Sequence, residues 1–175
     1  MRIEKGKTRV AIIAGEIAIK FPRIYALEIF KCFFWYLREG YADVKYFLGH
    51  EIKFMLWRGI VCNFREFLFY RTYRLSILAP TYFSLFGLIN IQKAGTNLKM
   101  DDLAVWEQIY ELTKRISFKD HDPHTFAEAE NYCVIDHKLA MVDYGDFQTQ
   151  WVLKRYGGII FKKFNLNYRR KKFEI

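Results

Sequence analysis

Short apolar runs open the chain. Thr8–Ala14 (TRVAIIA) is rich in β-branched residues, and Glu16–Phe21 (EIAIKF) alternates apolar and polar positions. The two predict strands joined by a tight turn at Gly15, the second ended by Pro22. The period then lengthens. Leu27, Phe30, Phe34 and Leu37 recur at helical spacing and predict a helix over Ile24–Leu37, terminated by Gly40. Phe47, Ile52, Met55 and Leu56 predict a second helix over Val44–Trp57. Asn63 reads as the N-cap of a third, from Phe64 to Arg74, with Glu66 in its first turn. Leu78-Ala79-Pro80 breaks that helix, and Thr81–Phe86 and Leu88–Gln92 predict two strands about Gly87. Asp101 is placed to cap a helix through Trp106, Ile109, Leu112 and Ile116. After a polar stretch, Lys119–Glu130, the runs Tyr132–Ile135 and Leu139–Val142 predict a hairpin about Asp136-His137-Lys138. Phe147–Tyr156 predicts a final helix ending at Gly157-Gly158. Helices segregate from mainly antiparallel strands, which is the α+β class.

Composition narrows the picture. The 175 residues suit one domain, and 52% hydrophobic with 19% aromatic residues excludes disorder as the general state. Cys32, Cys62 and Cys133 have no paired spacing, which argues against a disulfide scaffold or a zinc site and for a reducing, cytoplasmic compartment. The N-terminus carries charge without a following apolar signal core. Leu75–Gln92 lacks formal charge, yet Pro80, Asn90 and Gln92 make it too polar and broken for a bilayer span. The aromatics of residues 24–57, among them Phe30, Phe34, Trp35, Phe54 and Trp57, are expected to pack beside the strands or to form a partner surface.

The formal charge is +9, and much of it lies near the C-terminus. Lys162, Lys163, Arg169, Arg170, Lys171 and Lys172 interleave with Phe161, Phe164, Tyr168 and Phe173. That mixture suits nucleic acid, through phosphate pairing and base stacking, or an acidic protein. The ordinary reading of the same mixture is a solvated helix or tail that docks its aromatics on the core.

Several polar residues stand where a bland core does not need them. Lys20 lies between apolar neighbours in a strand, so it must be paired or neutral if buried, and Glu66 is its candidate partner. Asp122 lies in the polar stretch, Asn131 precedes a strand, and Asp143 ends another with Gly145 two residues on. His121 and His124 beside Asp120 and Asp122 do not complete a metal-ligand set.

In order, these segments resemble the protein-kinase fold. EIAIK resembles the strand bearing the phosphate-binding lysine, at Lys20; NFREFLFYR resembles the helix bearing its paired glutamate, at Glu66. LAPTYF and GLINIQKAG resemble the two strands leading to the adenine-binding hinge, HDPHTFAEAEN an expanded catalytic loop, and MVDYG the magnesium-binding motif with Tyr144 in place of Phe. The style is most similar to small, divergent kinase-like proteins met in bacteriophages, for which the host cytoplasm is the implied location. The resemblance implies a compact bilobal fold: an N-terminal lobe over 1–93 with a helical insertion at 24–57, and a truncated C-terminal lobe over 94–175. It implies ATP and Mg²⁺ as cofactors, and a protein or small molecule as phosphate acceptor. Lys20 would hold phosphate, aimed by Glu66; Asp143 and Asn131 would hold Mg²⁺; Asp122 would be the base, with Asp120 or His124 as substitutes. Adenine would meet backbone groups of Gln92, Lys93 and Ala94. No glycine-rich phosphate loop precedes Lys20, and only 30 residues follow the Asp143-Tyr144-Gly145 motif. Those departures suit the alternative of a pseudokinase that regulates or inhibits a partner by contact.

Overall fold

The computed structural model describes residues 1–6, 8–23, 26–39, 52–113 and 128–168. Strands β1 (Arg2–Lys5), β2 (Arg9–Ala14), β3 (Ile17–Pro22), β4 (Thr81–Leu85) and β5 (Ile89–Lys93) form an antiparallel sheet in the order β1-β2-β3-β5-β4. The β2–β3 turn is made by Gly15 at a positive φ of 58°, which a side chain would strain. β1 is absent from the sequence reading because Arg-Ile-Glu-Lys has no apolar run. It exists through pairing with β2, and its charged, exposed residues suit a sheet edge.

Helix α1 spans Ala26–Glu39, and helix α2 spans Ile52–Tyr73. α2 overturns two expectations. Ile52–Trp57 are not the end of an inserted helix but the first turns of the Glu66 helix, and Asn63 caps nothing. The Asn63 side chain is fully buried in the middle of the helix, where Oδ1 accepts from Arg9 (3.3 Å) and Nδ2 donates to the Gly87 carbonyl (2.9 Å). Tertiary hydrogen bonds thus satisfy a residue whose local preference is to start a helix. Residues 40–51, which include most of the predicted second helix, lie outside the described residues. Phe34, Trp35 and Trp57, expected to pack beside the strands or to form a partner surface, are each more than half exposed, so among the described residues they do not pack beside the strands.

α2 lies against β3, β4 and β5. The sheet face beneath it is polar. Register puts Ala11, Lys20, Asn90 and Ser84 on this face in one row, and Ala18, Gln92 and Thr81 in the next. In β5 the buried residues are Asn90 and Gln92, whereas Ile89 and Ile91 on the opposite face are half-buried. A face of this kind requires internal partners for its polar groups.

The remainder is built on β6 (Thr96–Asn97), β7 (Tyr132–Ile135) and β8 (Lys138–Met141), antiparallel in that order. The segment after α2 is stitched to β8: Leu78 bridges Met141 in parallel, Met141 N–H donates to Ile77 (2.7 Å), and Ala79 N–H donates to Met141 (2.9 Å). Helix α3 (Asp102–Leu112) is capped as expected, Asp101 Oδ1 accepting from Ala104 N–H at 2.7 Å. Helix α4 (Phe147–Lys163) is capped by Asp146 and runs past Gly157-Gly158, where the sequence predicts its end. The reason is packing. Gly157 is buried against Ile77, where an added Cβ would lie 3.0 Å from the Ile77 side chain, and the continuing helix buries Ile160. α3, α4, β7 and β8 enclose a core of Ile77, Leu78, Val105, Ile109, Met141, Tyr144 and Leu153. Phe161 and Phe164 pack on it, with the Lys138 ammonium 5.0 Å from the Phe161 ring centre. No described helix is long and apolar enough to cross a membrane.

Candidate functional site

Lys20 sits on β3, on the covered face, and its Nζ donates to Glu66 Oε2 at 3.0 Å and to the Val142 carbonyl. Glu66 is fully buried on α2. Its other oxygen, Oε1, accepts from Arg9 Nη1 at 2.6 Å and from the Tyr144 backbone N–H at 3.2 Å. The second prong of Arg9, Nη2, forms an ion pair with Asp143 Oδ1. Four charges from β2, β3, α2 and the turn after β8 therefore close into one network, two cations and two carboxylates. Burial of charge is tolerable only when it is paired and hydrogen-bonded in this way.

Close approaches allow the network to form. A Cβ on Gly145 would lie 2.6 Å from the Cys62 carbonyl oxygen, so the absence of a side chain lets the Asp143-Tyr144-Gly145 turn press onto α2. On the same helix Gly59 faces the Thr8 carbonyl, with its would-be Cβ 2.9 Å from Pro22 Cβ, which brings the start of β2 against α2 and Arg9 to Glu66.

The electrostatics follow from burial and neighbours. For Lys20, burial pulls the pKa down against the pull of Glu66, and the nearby Arg9 adds to the fall, so it lies below its ordinary 10.5. Burial works against the Arg9 charge too, but Asp143 and then Glu66 outweigh it and hold the guanidinium protonated. Burial pushes the Asp143 carboxyl up, but Arg9 and Lys20 outweigh that and leave it below its ordinary 3.8. The Asp143 side chain remains 42% exposed, so one side of the carboxylate faces solvent.

Tyr144 points the other way, into the core. Its hydroxyl donates to the Ala79 carbonyl (2.8 Å), lies 2.7 Å from Thr81 Oγ1 and accepts from Gln92 Nε2 (3.3 Å). Phenylalanine could fill the space but not bond these groups.

Gln92, Lys93 and Ala94 are placed at the end of β5, and the Gln92 side-chain NH₂ and the N–H groups of Lys93 and Ala94 are engaged. Gln92 is buried among Ala79, Thr81 and Tyr144; Lys93 N–H donates to Pro80 and Ala94 N–H to Glu16, each at 2.7 Å. Two buried side-chain oxygens, Asn90 Oδ1 and Gln92 Oε1, have no hydrogen-bond partner among the described residues. Asn131 closes a short 3₁₀ turn (Ala129–Asn131); its carbonyl accepts from Val142 N–H at 2.8 Å, next to Asp143, and its amide donates to Glu128 at 3.2 Å. Asp120, His121, Asp122 and His124 lie outside the described residues.

The donor chemistry of Asp143 and Asn131 fits Mg²⁺, a hard cation held by one or two protein oxygens while ligand phosphates complete its shell. Among the described residues no group of three or more His, Cys, Asp and Glu forms a self-sufficient metal cage.

Sequence reasoning did not find Arg9. At the start of a strand it reads as a solvated charge; the signal that finds it is parity, since Arg9 and Ala11 share a face with Lys20 once β2 and β3 are in register. The chain matches no family model, and no curated protein or solved structure matches it.

Proposed function

We propose that this protein is an ATP- and Mg²⁺-dependent phosphotransferase of protein-kinase-like architecture, acting on a protein or small-molecule acceptor. One observation carries the reading: Lys20, Glu66 and Asp143, far apart in sequence, meet in one buried ion-pair network. Phosphoryl transfer needs a lysine on the phosphates, an acid that aims it, and a carboxylate for the metal. A third-strand lysine, a glutamate on the following long helix, and an aspartate just after a later hairpin answer those needs. Glu66 and the Val142 carbonyl take two of the three Lys20 ammonium donors, which leaves one for a phosphate oxygen. Asp143 presents a carboxylate to solvent, and the Asn131 carbonyl accepts from the N–H of Val142, the residue before it. Bound Mg²⁺ would supply charge neutralisation on the phosphates. Asp122 is proposed as the group that orients the acceptor hydroxyl and takes its proton.

A second reading, a pseudokinase acting by contact, is favoured by the hinge. The N–H groups of Lys93 and Ala94 that would meet adenine are already bonded within the protein.

Thermal denaturation with ATP or a nonhydrolysable analogue plus Mg²⁺ tests the proposal. Ligand at 100 times its Kd stabilises by about 2.7 kcal/mol, which for a chain of this size raises the Tm by about 5–11 °C. Asp143→Asn should remove most of the Mg²⁺-dependent part, measured from its own baseline. No shift with any nucleotide refutes nucleotide binding. A full shift without phosphate transfer to any acceptor selects the second reading.

A further inference from the structure

Asp143 is the carboxylate most suited to a metal, yet it already carries a cation. The Arg9 guanidinium is anchored through one prong, whose Nη1 is held by Glu66 Oε1 at 2.6 Å and Asn63 Oδ1 at 3.3 Å. Only the other prong, Nη2, reaches Asp143. Arg9 is 8% exposed, whereas the Asp143 side chain is 42% exposed. The two halves of the contact therefore differ: the arginine is fixed in the protein, and the aspartate can be approached from solvent.

We propose that Arg9 is the resident counter-cation of Asp143, and that a divalent metal binds at Asp143 only by displacing one prong of that guanidinium. The inference rests on the metal role of Asp143 in the proposed function. Displacement does not require Arg9 to leave its site, because Glu66 and Asn63 keep the Nη1 prong. A small rotation of the fork, or of Asp143 about its own side chain, breaks the contact. Before the metal arrives, Arg9 keeps the carboxylate charged and oriented in the turn. The arrangement also limits the network to a net charge of zero, so a dication at Asp143 faces two cations, Arg9 and Lys20, until phosphate oxygens accompany it. Metal and polyphosphate should thus bind together far better than the metal alone. Arginine suits this task because its rigid planar fork holds Glu66 through one prong while the other reaches Asp143 in a fixed direction.

The test is Mn²⁺ binding to the free protein, without nucleotide, read by electron paramagnetic resonance as loss of the aquo-ion signal. Arg9→Gln is expected to bind Mn²⁺ about tenfold or more tightly than the unaltered protein, the scale of one charge-assisted hydrogen bond. The double variant Arg9→Gln, Asp143→Asn should lose that gain. Arg9→Lys, which keeps a positive charge beside Glu66, is the second variant if glutamine prevents folding, and it should gain in the same direction. In the unaltered protein, ¹⁵N NMR gives an independent readout: the Arg9 Nε–Hε resonance should move as Mg²⁺ and ADP are added. A merely structural Arg9 predicts the opposite sign, because a misplaced Asp143 binds metal less well. Equal or weaker Mn²⁺ binding in folded Arg9 variants, or an Arg9 resonance that stays fixed while the Asp143 carboxyl signal shifts, overturns the proposal. Nucleotide-induced stabilisation with no Mn²⁺ gain would overturn this inference and leave the nucleotide reading standing; an Mn²⁺ gain at Asp143 without nucleotide binding would do the reverse.

Discussion

Replacing Glu66 by glutamine is the sharpest perturbation of the buried network. The side chain keeps its shape and loses its charge. Oε1 accepts two of the three hydrogen bonds, from Arg9 and Tyr144 N–H, so the amide oxygen stays on that side. The amide NH₂ then faces the Lys20 ammonium, which formerly bonded Oε2 at 3.0 Å. Lys20 is left buried beside another donor, with the Val142 carbonyl as its remaining acceptor among these contacts. Breaking a buried pair by removing one partner costs about 3–5 kcal/mol. For a chain of this length that lowers the Tm by about 6–20 °C, at about 2–4 °C per kcal/mol. Thermal and urea denaturation followed by circular dichroism measure it. A double-mutant cycle separates charge from shape: Lys20→Met removes the stranded cation, so Lys20→Met with Glu66→Gln should be more stable than the sum of the single changes by at least about 1 kcal/mol. If Glu66→Gln melts within about 2 °C of the unaltered protein, a difference of 1 kcal/mol or less, or if the two changes are additive, Lys20 and Glu66 are not coupled as described and the site argument fails with them.

Two further outcomes follow from the same geometry. Tyr144→Phe leaves Ala79, Thr81 and Gln92 short of a partner in the core and should cost about 1–3 kcal/mol in denaturant unfolding; a neutral result would mean the hydroxyl bonds contribute nothing. The unfolded chain binds a proton at Asp143 before the folded one does, because the folded carboxyl lies below 3.8. Its stabilisation is therefore complete above about pH 5 and is lost as pH falls through the folded pKa. Asp143→Asn should flatten the acid limb of a Tm–pH profile below about pH 4, and an unchanged slope would deny Asp143 its ion pair.

Local sequence signals determined the α+β class, the two hairpins flanking Gly15 and Gly87, the β7–β8 hairpin and the Asp101 cap, because each is short-range: period, turn residue or capping side chain. It also singled out Lys20, since an unpartnered lysine inside an apolar strand conflicts with burial, and named Glu66 as its partner. Tertiary structure decided what local signals oppose. Asn63 prefers to begin a helix and Gly157-Gly158 to end one, but hydrogen bonds to Arg9 and Gly87 in the first case, and close packing on Ile77 in the second, carry both helices through. The charged β1 exists only as an edge to β2. The polar face of β5 reads as outward by any hydropathy rule and is buried because α2 covers it. Arg9 belongs to this second class. Its partners lie on α2 and beyond β8, so nothing near it in sequence distinguishes it from a surface arginine, and only strand register together with the close approach of α2 makes it the centre of the site.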